Sequence, residues 1–157
     1  MKIENVKIGD LKRYEKNARK HPQRQIDLLV ENIKRFGFTT PVLIDKKNEI
    51  IAGHGRLDAA MKLGMTELPC VRIENLTDKE IKALRLSDNK LAELAEWDLD
   101  LAISELKELD EGMFKLTGFD RVIMEVTEDN FDAQKEYDKI VSPVTKLGDI
   151  YELGEHK

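Results

Sequence analysis

The sequence predicts an α+β domain, a small mixed sheet flanked by helices, with a helical extension at its C-terminal end. Short apolar runs bounded by turn residues predict strands, and they are interspersed with stretches whose apolar residues recur at helical spacing. Glycine and proline stand at several of the boundaries. Both kinds of run continue up to about Leu109. Strands and helices are therefore expected to share one compact core.

The N-terminal part is predicted to form a strand, a loop and a helix. Residues 3–8 alternate between apolar and polar side chains and are closed by Gly9, which is typical of a short edge strand. Residues 17–21 are predicted to be a loop, and Pro22 suits the first turn of a helix. Five apolar residues then recur at helical spacing until Gly37 ends the helix: Ile26, Leu29, Val30, Ile33 and Phe36.

The middle of the chain is predicted to form a hairpin, a second helix and a further strand. Two short apolar runs, residues 41–44 and 50–52, are separated by five polar residues, as in a hairpin. Residues 57–63 carry apolar side chains at helical spacing. Residues 68–73 form another apolar run, in which Pro69 favours a strand start or an edge position.

Two more helices are predicted before the pattern weakens beyond Gly112. Residues 77–80, Thr-Asp-Lys-Glu, have the spacing of a capping box, so a helix is expected to begin there. Asp98 is predicted to N-cap the next helix. The apolar faces of the two helices are expected to consist of Ile81, Leu84, Leu91 and Ala95, and of Leu99, Ala102, Ile103, Leu106 and Leu109.

The predicted organisation has four parts. Residues 1–98 form the main domain, and residues 99–126 form the helical extension. Residues 127–145 are polar and charged and lack a periodic apolar face, so they are predicted to be a mobile linker. Residues 146–157 are predicted to be the start of a further domain.

Composition limits the location of the protein and its partners. The 157 residues suffice for one ordinary domain plus an appendage. No apolar run approaches the ~20 residues of a membrane helix, and the N-terminus lacks the pattern of a secretory signal. The single cysteine, Cys70, cannot form an internal disulfide, which favours the reducing cytoplasm.

The net charge of −5 is unevenly distributed. Residues 1–90 carry 19 Lys and Arg against 13 Asp and Glu, whereas residues 91–157 carry 7 against 18. A basic half suggests a surface that faces an anionic partner. Ordinary solvated surface accounts for the charges equally well.

The strongest local feature is the loop Gly53-His54-Gly55-Arg56, between a predicted strand and a predicted helix. Its glycines allow a ligand to approach the backbone, the helix N-terminus attracts anions, and Arg56 offers a fork of donors that suits phosphate. Many glycine turns bind nothing, so a purely structural turn remains the alternative. His54 could serve as a general acid or base, a metal ligand or a hydrogen-bond donor to phosphate, but a solvent-facing histidine is the simpler expectation. Since no Cys or second His lies at ligand spacing, a zinc site is not predicted.

Two other polar groups are candidates for binding. A basic segment of Lys12, Arg13, Lys16, Lys20 and Arg24 could contact DNA phosphates, although a solvated loop is an equal alternative. Asp88 and Asn89 lie inside a predicted helix, where such residues are unfavourable, and their oxygens suit a hard cation. Exposed polar residues without a ligand would explain that pair as well.

The order of these motifs resembles the ParB/sulfiredoxin-like domain over about residues 3–98. The resemblance rests on residues 17–21 (NARKH), 36–45 (FGFTTPVLID), 50–60 (IIAGHGRLDAA) and 86–90 (LSDNK). The Gly-His-Gly-Arg variant, followed by Trp97-Asp98 and by residues 116–120 (LTGFD), is similar to ParB-like domains at the N-terminus of phage-type DNA methyltransferases. Residues 146–151 (KLGDIY) look like the opening of such a methyltransferase domain.

The resemblance implies a nucleotide site. In ParB proteins the glycine-rich loop grips a nucleoside triphosphate and a later acidic-Asn pair helps to hold its magnesium ion. Gly53 and Arg56 match the first and last residues of that loop, and Asp88 and Asn89 match the metal-associated pair.

The loop differs from the ParB form at two positions. His54 and Gly55 stand where ParB has a glutamate and an arginine. Both CTP and ATP therefore remain candidates. Arg19, from the NARKH motif, completes the expected phosphate-binding set together with His54 and Gly55. Sulfiredoxins place a reactive cysteine in this loop, and because this chain has none there, their chemistry is not expected.

The leading functional hypothesis is a nucleotide-binding accessory domain of a DNA methyltransferase or related DNA-acting protein, with weak, non-specific DNA binding. Methyltransferase activity is not expected from this chain alone. A phosphohydrolase, either a nucleoside-triphosphatase or a nuclease, is the enzymatic alternative. A degenerate fold used only for protein association is the third. Because the sequence does not fix the oligomeric state, a homodimer stays open.

Overall fold

The structure is a computed structural model that describes residues 2–125. The chain divides into two units, Met1–Phe119 and Asp120–Lys157. The predicted linker, residues 127–145, and the predicted start of a further domain, residues 146–157, lie outside the described residues. No helix within residues 2–125 is long and apolar enough to cross a membrane.

The first unit contains a four-stranded mixed sheet, as predicted. Its strands are β1 (Ile3–Lys7), β2 (Val42–Asp45), β3 (Ile50–Ala52) and β4 (Glu67–Ile73), arranged in the order β1-β4-β2-β3. The β1–β4 and β2–β3 pairs are antiparallel, whereas β2 and β4 are parallel. The connection between the parallel strands passes through β3 and a helix, which places that helix against the sheet.

Five α-helices and a short 3-10 helix (Ile8–Asp10) accompany the sheet in the described part of the first unit, and a sixth α-helix belongs to the second unit. The α-helices are α1 (Gln23–Phe36), α2 (His54–Lys62), α3 (Asp78–Leu94), α4 (Leu99–Lys107), α5 (Glu111–Thr117) and α6 (Val122–Glu125). The capping box of Thr77 and Glu80 is present at α3, and the Asp98 carboxylate accepts from Leu101 N–H at α4. Both predicted helix starts are therefore confirmed.

The core lies between the sheet and α2. Its fully buried members include Ile44, Ile50, Leu68 and Cys70, packed with Leu57 of α2. Burial raises the pKa of the Cys70 thiol to about 11, so this cysteine behaves as a small apolar core residue. The packing fixes α2, and with it the loop that precedes the helix.

Some predicted positions differ in the structure. For Pro69 a strand start or an edge was predicted: β4 is central rather than an edge, but Pro69 lies near its start and precedes Cys70, the first residue that pairs with β2. Four residues predicted on the apolar faces of α3 and α4 are exposed: Leu91, Ala95, Leu99 and Leu109. Leu91 of α3 is 64% exposed, because the buried face of that helix runs through Ile81 and Arg85 instead. Helix α5 lies where the apolar pattern had weakened, and Asp110 caps it.

Candidate functional site

A cavity of about 220 Å³ gathers residues from four separate parts of the chain. The loop after β3 forms one wall, the segment before α1 a second, α1 itself a third and α3 a fourth. All seven residues predicted to bind nucleotide or metal line it: Arg19, Gly53, His54, Gly55, Arg56, Asp88 and Asn89. Tertiary packing thus brings together residues that lie up to 70 positions apart.

The loop adopts a backbone conformation at position 53 that favours glycine. Gly53 precedes α2 with φ 106° and ψ 25°, in the left-handed region that favours glycine. A Cβ atom at this position would lie 3.0 Å from Arg56 Nη2 and 3.2 Å from Val42 Cγ2. The loop therefore needs glycine both for its backbone and for the space that the arginine occupies.

Gly55 serves a different purpose, since its backbone is helical. A Cβ atom there would lie 3.2 Å from both His21 Nδ1 and Leu29 Cδ1. His21 is held by Gln25, whose Oε1 lies 2.9 Å from His21 Nδ1. Gly55 thus lets the segment before α1 pack onto the start of α2, which closes one side of the cavity.

Arg56 is half-buried. Its Nη2 donates to Pro41 O at 3.3 Å, while its buried Nε has no hydrogen-bond partner within residues 2–125. Burial lowers the pKa of the guanidinium, and the charge of Asp88 opposes that shift. The group stays charged at neutral pH. Arg56 therefore provides a fixed positive charge, and its Nε–H has no hydrogen-bond partner within residues 2–125.

His54 is buried, so the expectation of a solvent-facing histidine was wrong. The residue is 7% exposed, and Tyr14 N–H donates to His54 Nε2 at 3.4 Å. Burial, followed by the charge of Arg85, lowers the pKa of His54 to about 4. The ring is therefore neutral at pH 7. Its Nε2 acts as a hydrogen-bond acceptor that fixes the loop containing Tyr14, before α1.

Arg19 spans the gap between its loop and α3. Its Nη1 donates to Asn89 O at 3.1 Å and to Asn89 Oδ1 at 3.3 Å, and it lies 3.8 Å from Glu93 Oε1. Asn89 Nδ2 in turn donates to Arg85 O at 2.9 Å. Both polar atoms of the Asn89 side chain therefore have protein partners.

The predicted magnesium pair fits a cation only in part. Asp88 is exposed at the cavity and could offer a carboxylate oxygen. The amide oxygen of Asn89 faces the Arg19 guanidinium, which is itself a cation. Within residues 2–125, no group of three His, Cys, Asp or Glu side chains is placed to hold a metal. The residues present do not form a metal site in this arrangement.

All five residues of the predicted DNA-binding segment are exposed. Arg13 forms an ion pair with Asp58, in the second turn of α2, and its Nη2 also lies 3.5 Å from Met61 Sδ. This pair offsets the negative charge that Asp58 would otherwise place near the cavity. Lys16 and Lys20 are exposed on the loop before α1. Lys12 and Arg24 are exposed as well.

Sequence reasoning missed the residue that joins these parts, Arg85 of α3. It is 5% exposed, donates to Glu49 Oε1 at 3.1 Å and to Ile50 O at 3.2 Å, and its Cζ lies 3.5 Å from the Tyr14 ring centroid. The only signal was its position, one turn after Ile81 on the buried face. Because arginines rarely lie inside a domain, that position alone did not single out Arg85.

Comparisons with known proteins agree with this architecture. The model of the ParB N-terminal domain matches residues 1–95. The ParB-like nuclease domain-containing protein YnaK of Escherichia coli (strain K12) is 49% identical over 80 residues, which cover 51% of this chain and 92% of YnaK. The nucleoid occlusion protein of Geobacillus kaustophilus (strain HTA426) is 35% identical over 94 residues, and the match spans 57% of this chain but about a third of that protein.

A solved structure shows the same fold. The C-terminally truncated chromosome-partitioning protein ParB from Caulobacter crescentus, crystallised with CTP-gamma-S, matches with a TM-score of 0.68 at 18% identity, covering 90% of this chain and 88% of that one. The family match extends over more than half of the chain, and the relative YnaK is covered almost completely. The chain belongs to the ParB N-terminal domain family.

Proposed function

We propose that this domain binds the phosphates of a nucleotide in the cavity between α2 and α3. The observation that carries the proposal is the convergence of two arginines, Arg19 and Arg56, on the N-terminus of α2. The first N–H groups of a helix attract anions, and guanidinium groups match phosphate oxygens. Gly53 leaves room for the Arg56 guanidinium, and Gly55 lets His21 pack against the start of α2.

The ParB relative adds support through its ligand. The Caulobacter crescentus protein was crystallised with CTP-gamma-S, and its likeness to this chain is one of fold. His54 and Gly55 replace the charged residues that ParB has in the loop, so CTP and ATP are both candidates. The neutral His54 ring leaves the positive charge of the cavity to the two arginines.

The nucleotide site is proposed to serve a larger DNA-acting protein. The exposed Lys16 and Lys20 lie on the same loop as Arg19, which connects a basic surface to the cavity. The related nucleoid occlusion proteins are about three times as long as the matching segment. A methyltransferase partner is proposed from sequence resemblance alone, which rests on the Gly-His-Gly-Arg loop, Trp97-Asp98, residues 116–120 and residues 146–151. We also propose a homodimer, and sedimentation of the full chain would measure its mass.

A phosphohydrolase is the second candidate, favoured by the name of YnaK and by two histidines at the cavity, His21 and His54. Release of phosphate from nucleotide, or cleavage of DNA, would support this candidate. Binding without turnover would leave the accessory role.

Calorimetric titration of the full chain with CTP, ATP, GTP and a kinase-type phosphodonor tests the proposal. We expect binding of at least one nucleotide, and a loss of about tenfold or more in affinity for Arg56→Ala, since each 1.4 kcal/mol is tenfold. Lys62→Ala, which removes a positive charge from the opposite end of α2, is the matched control and should bind normally. Absence of binding by the wild type, or full affinity of Arg56→Ala, would overturn the assignment.

A further inference from the structure

The contact between Arg19 and Asn89 determines which cation the cavity can use. The family resemblance places Asn89 in the magnesium-associated pair, where Oδ1 would be its ligand atom, and Arg19 Nη1 lies 3.3 Å from that oxygen. The Asn89 side chain cannot turn away without losing its bond to Arg85 O. A magnesium ion bound at ~2.1 Å from that oxygen would lie directly beside the guanidinium. Two cations in contact repel each other, so the cavity can hold either a magnesium ion or the Arg19 guanidinium beside Asn89 Oδ1, but not both.

Arg19 is held in this position by more than one group. The backbone oxygen of Asn89 accepts from the same Nη1 at 3.1 Å, and Glu93 Oε1 lies 3.8 Å away. Its side chain remains 36% exposed, and it lines the cavity with Arg56. One nitrogen is thus fixed to α3, while the rest of a five-donor fork remains to meet a ligand.

We propose that the cavity binds phosphate without a divalent cation, and that Arg19, anchored on Asn89, supplies the positive charge in its place. This inference rests on the proposed phosphate site and concerns its charge balance. Arg19 and Arg56 line the cavity with two positive charges and Asp88 with one negative charge, while Glu93 lies 3.8 Å from Arg19 outside the lining. Asp88 then balances the arginines and is not a metal ligand.

The direction in which Asp88→Asn changes the phosphate affinity distinguishes a site with magnesium from a site without it. If Asp88 held a magnesium ion, Asp88→Asn would weaken phosphate binding in magnesium buffer. If Asp88 only adds negative charge beside the phosphate, Asp88→Asn leaves the affinity unchanged or raises it. The probe is inorganic tripolyphosphate, titrated into the full chain in EDTA and again in magnesium.

For the wild type we expect that replacing magnesium with EDTA does not weaken binding of tripolyphosphate. Arg19→Ala and Arg19→Gln should each lose about tenfold or more in EDTA, and magnesium should restore part of the loss in Arg19→Ala because Asn89 is then free. Lys82→Ala, which removes an exposed positive charge elsewhere on α3, is the control and should behave as wild type. Strict dependence on magnesium in the wild type would overturn the proposal.

A second measurement needs no phosphate. Manganese alone, added in substoichiometric amounts, should leave the NMR signals of Asp88 and Asn89 sharp in the wild type and broaden them in Arg19→Ala. Broadening in the wild type, or no difference between the two proteins, would overturn the role of Arg19. If the wild type binds no tripolyphosphate in either buffer, the proposed function fails, and the manganese result still decides whether Arg19 displaces a cation.

Discussion

The guanidinium of Arg56 occupies the space that a side chain at Gly53 would need. A Cβ atom at Gly53 would lie 3.0 Å from Nη2 and 3.2 Å from Nε of Arg56. The two residues, three positions apart, therefore depend on each other. The first glycine of the loop is required because of where its last arginine lies.

Gly53→Ala is expected to affect both stability and binding. The left-handed backbone at this position costs an alanine about 1–2 kcal/mol, and the contact with Arg56 displaces the guanidinium as well. Gly64→Ala is the matched control, because its φ is 70° but no atom lies within 4 Å of the added Cβ. Urea unfolding should show destabilisation of both variants, whereas nucleotide titration should show lost affinity in Gly53→Ala alone.

Arg56 should matter to the fold as well as to the ligand. Arg56→Ala removes a half-buried side chain and its bond to Pro41 O, so we expect a loss of about 1 kcal/mol in the free energy of unfolding. Arg56→Lys should recover only part of the affinity, since an ammonium cannot make a planar two-point contact. Chemical unfolding and titration of the same preparations separate the two effects. A variant that unfolds at 25 °C would show that Arg56 is chiefly structural.

His54 should make the domain sensitive to acid. Its folded-state pKa of about 4 lies below the ordinary value of 6.5, so protonation favours the unfolded chain. The contribution of neutral His54 to the free energy of unfolding is complete above about pH 6.5. As the pH falls towards 4, the free energy of unfolding decreases by about 3 kcal/mol. Urea unfolding at pH 7 and pH 4.5 measures it. In His54→Gln the decrease between these two values should be smaller, and an equal decrease would contradict the assignment.

Arg85 should be the most sensitive charged position in α3. Arg85→Ala loses the contacts with Glu49, Ile50 O and the Tyr14 ring and leaves a cavity, which should cost about 2–3 kcal/mol. Lys82→Ala, three positions earlier and exposed, should stay within about 0.5 kcal/mol of wild type. Thermal and urea unfolding of both variants provide the comparison. Equal stability would show that the buried arginine adds nothing to the fold.

DNA binding should depend on the exposed lysines more than on Arg13. Charge reversal of Lys16 and Lys20 should weaken binding to all DNA sequences alike, because contacts with phosphate carry no sequence information. Arg13→Ala should have a smaller effect, since that arginine is already paired with Asp58. Filter binding at several salt concentrations measures both, and log affinity should fall with log salt. Salt-insensitive binding would exclude this mode.

Much of the fold could be read from the sequence because its signals are local. Period-2 and helical spacing, the capping box at Thr77 and the glycine at residue 37 each depend on neighbouring residues alone. The loop at residues 53–56 was found for the same reason. Helix α5 escaped detection because it is seven residues long, too short for a periodic apolar face to be evident.

What the sequence alone determined was therefore the identity of the elements and the residue types at the loop. Only the tertiary structure decided which of those residues meet and in what state. In the tertiary structure His54 and Arg85 are buried and Arg56 is half-buried. Arg19 contacts Asn89, which lies 70 positions later in the sequence. The physical reason is that burial and charge pairing arise from contacts between distant segments. No local pattern records whether a polar side chain will face water, a ligand or another charge.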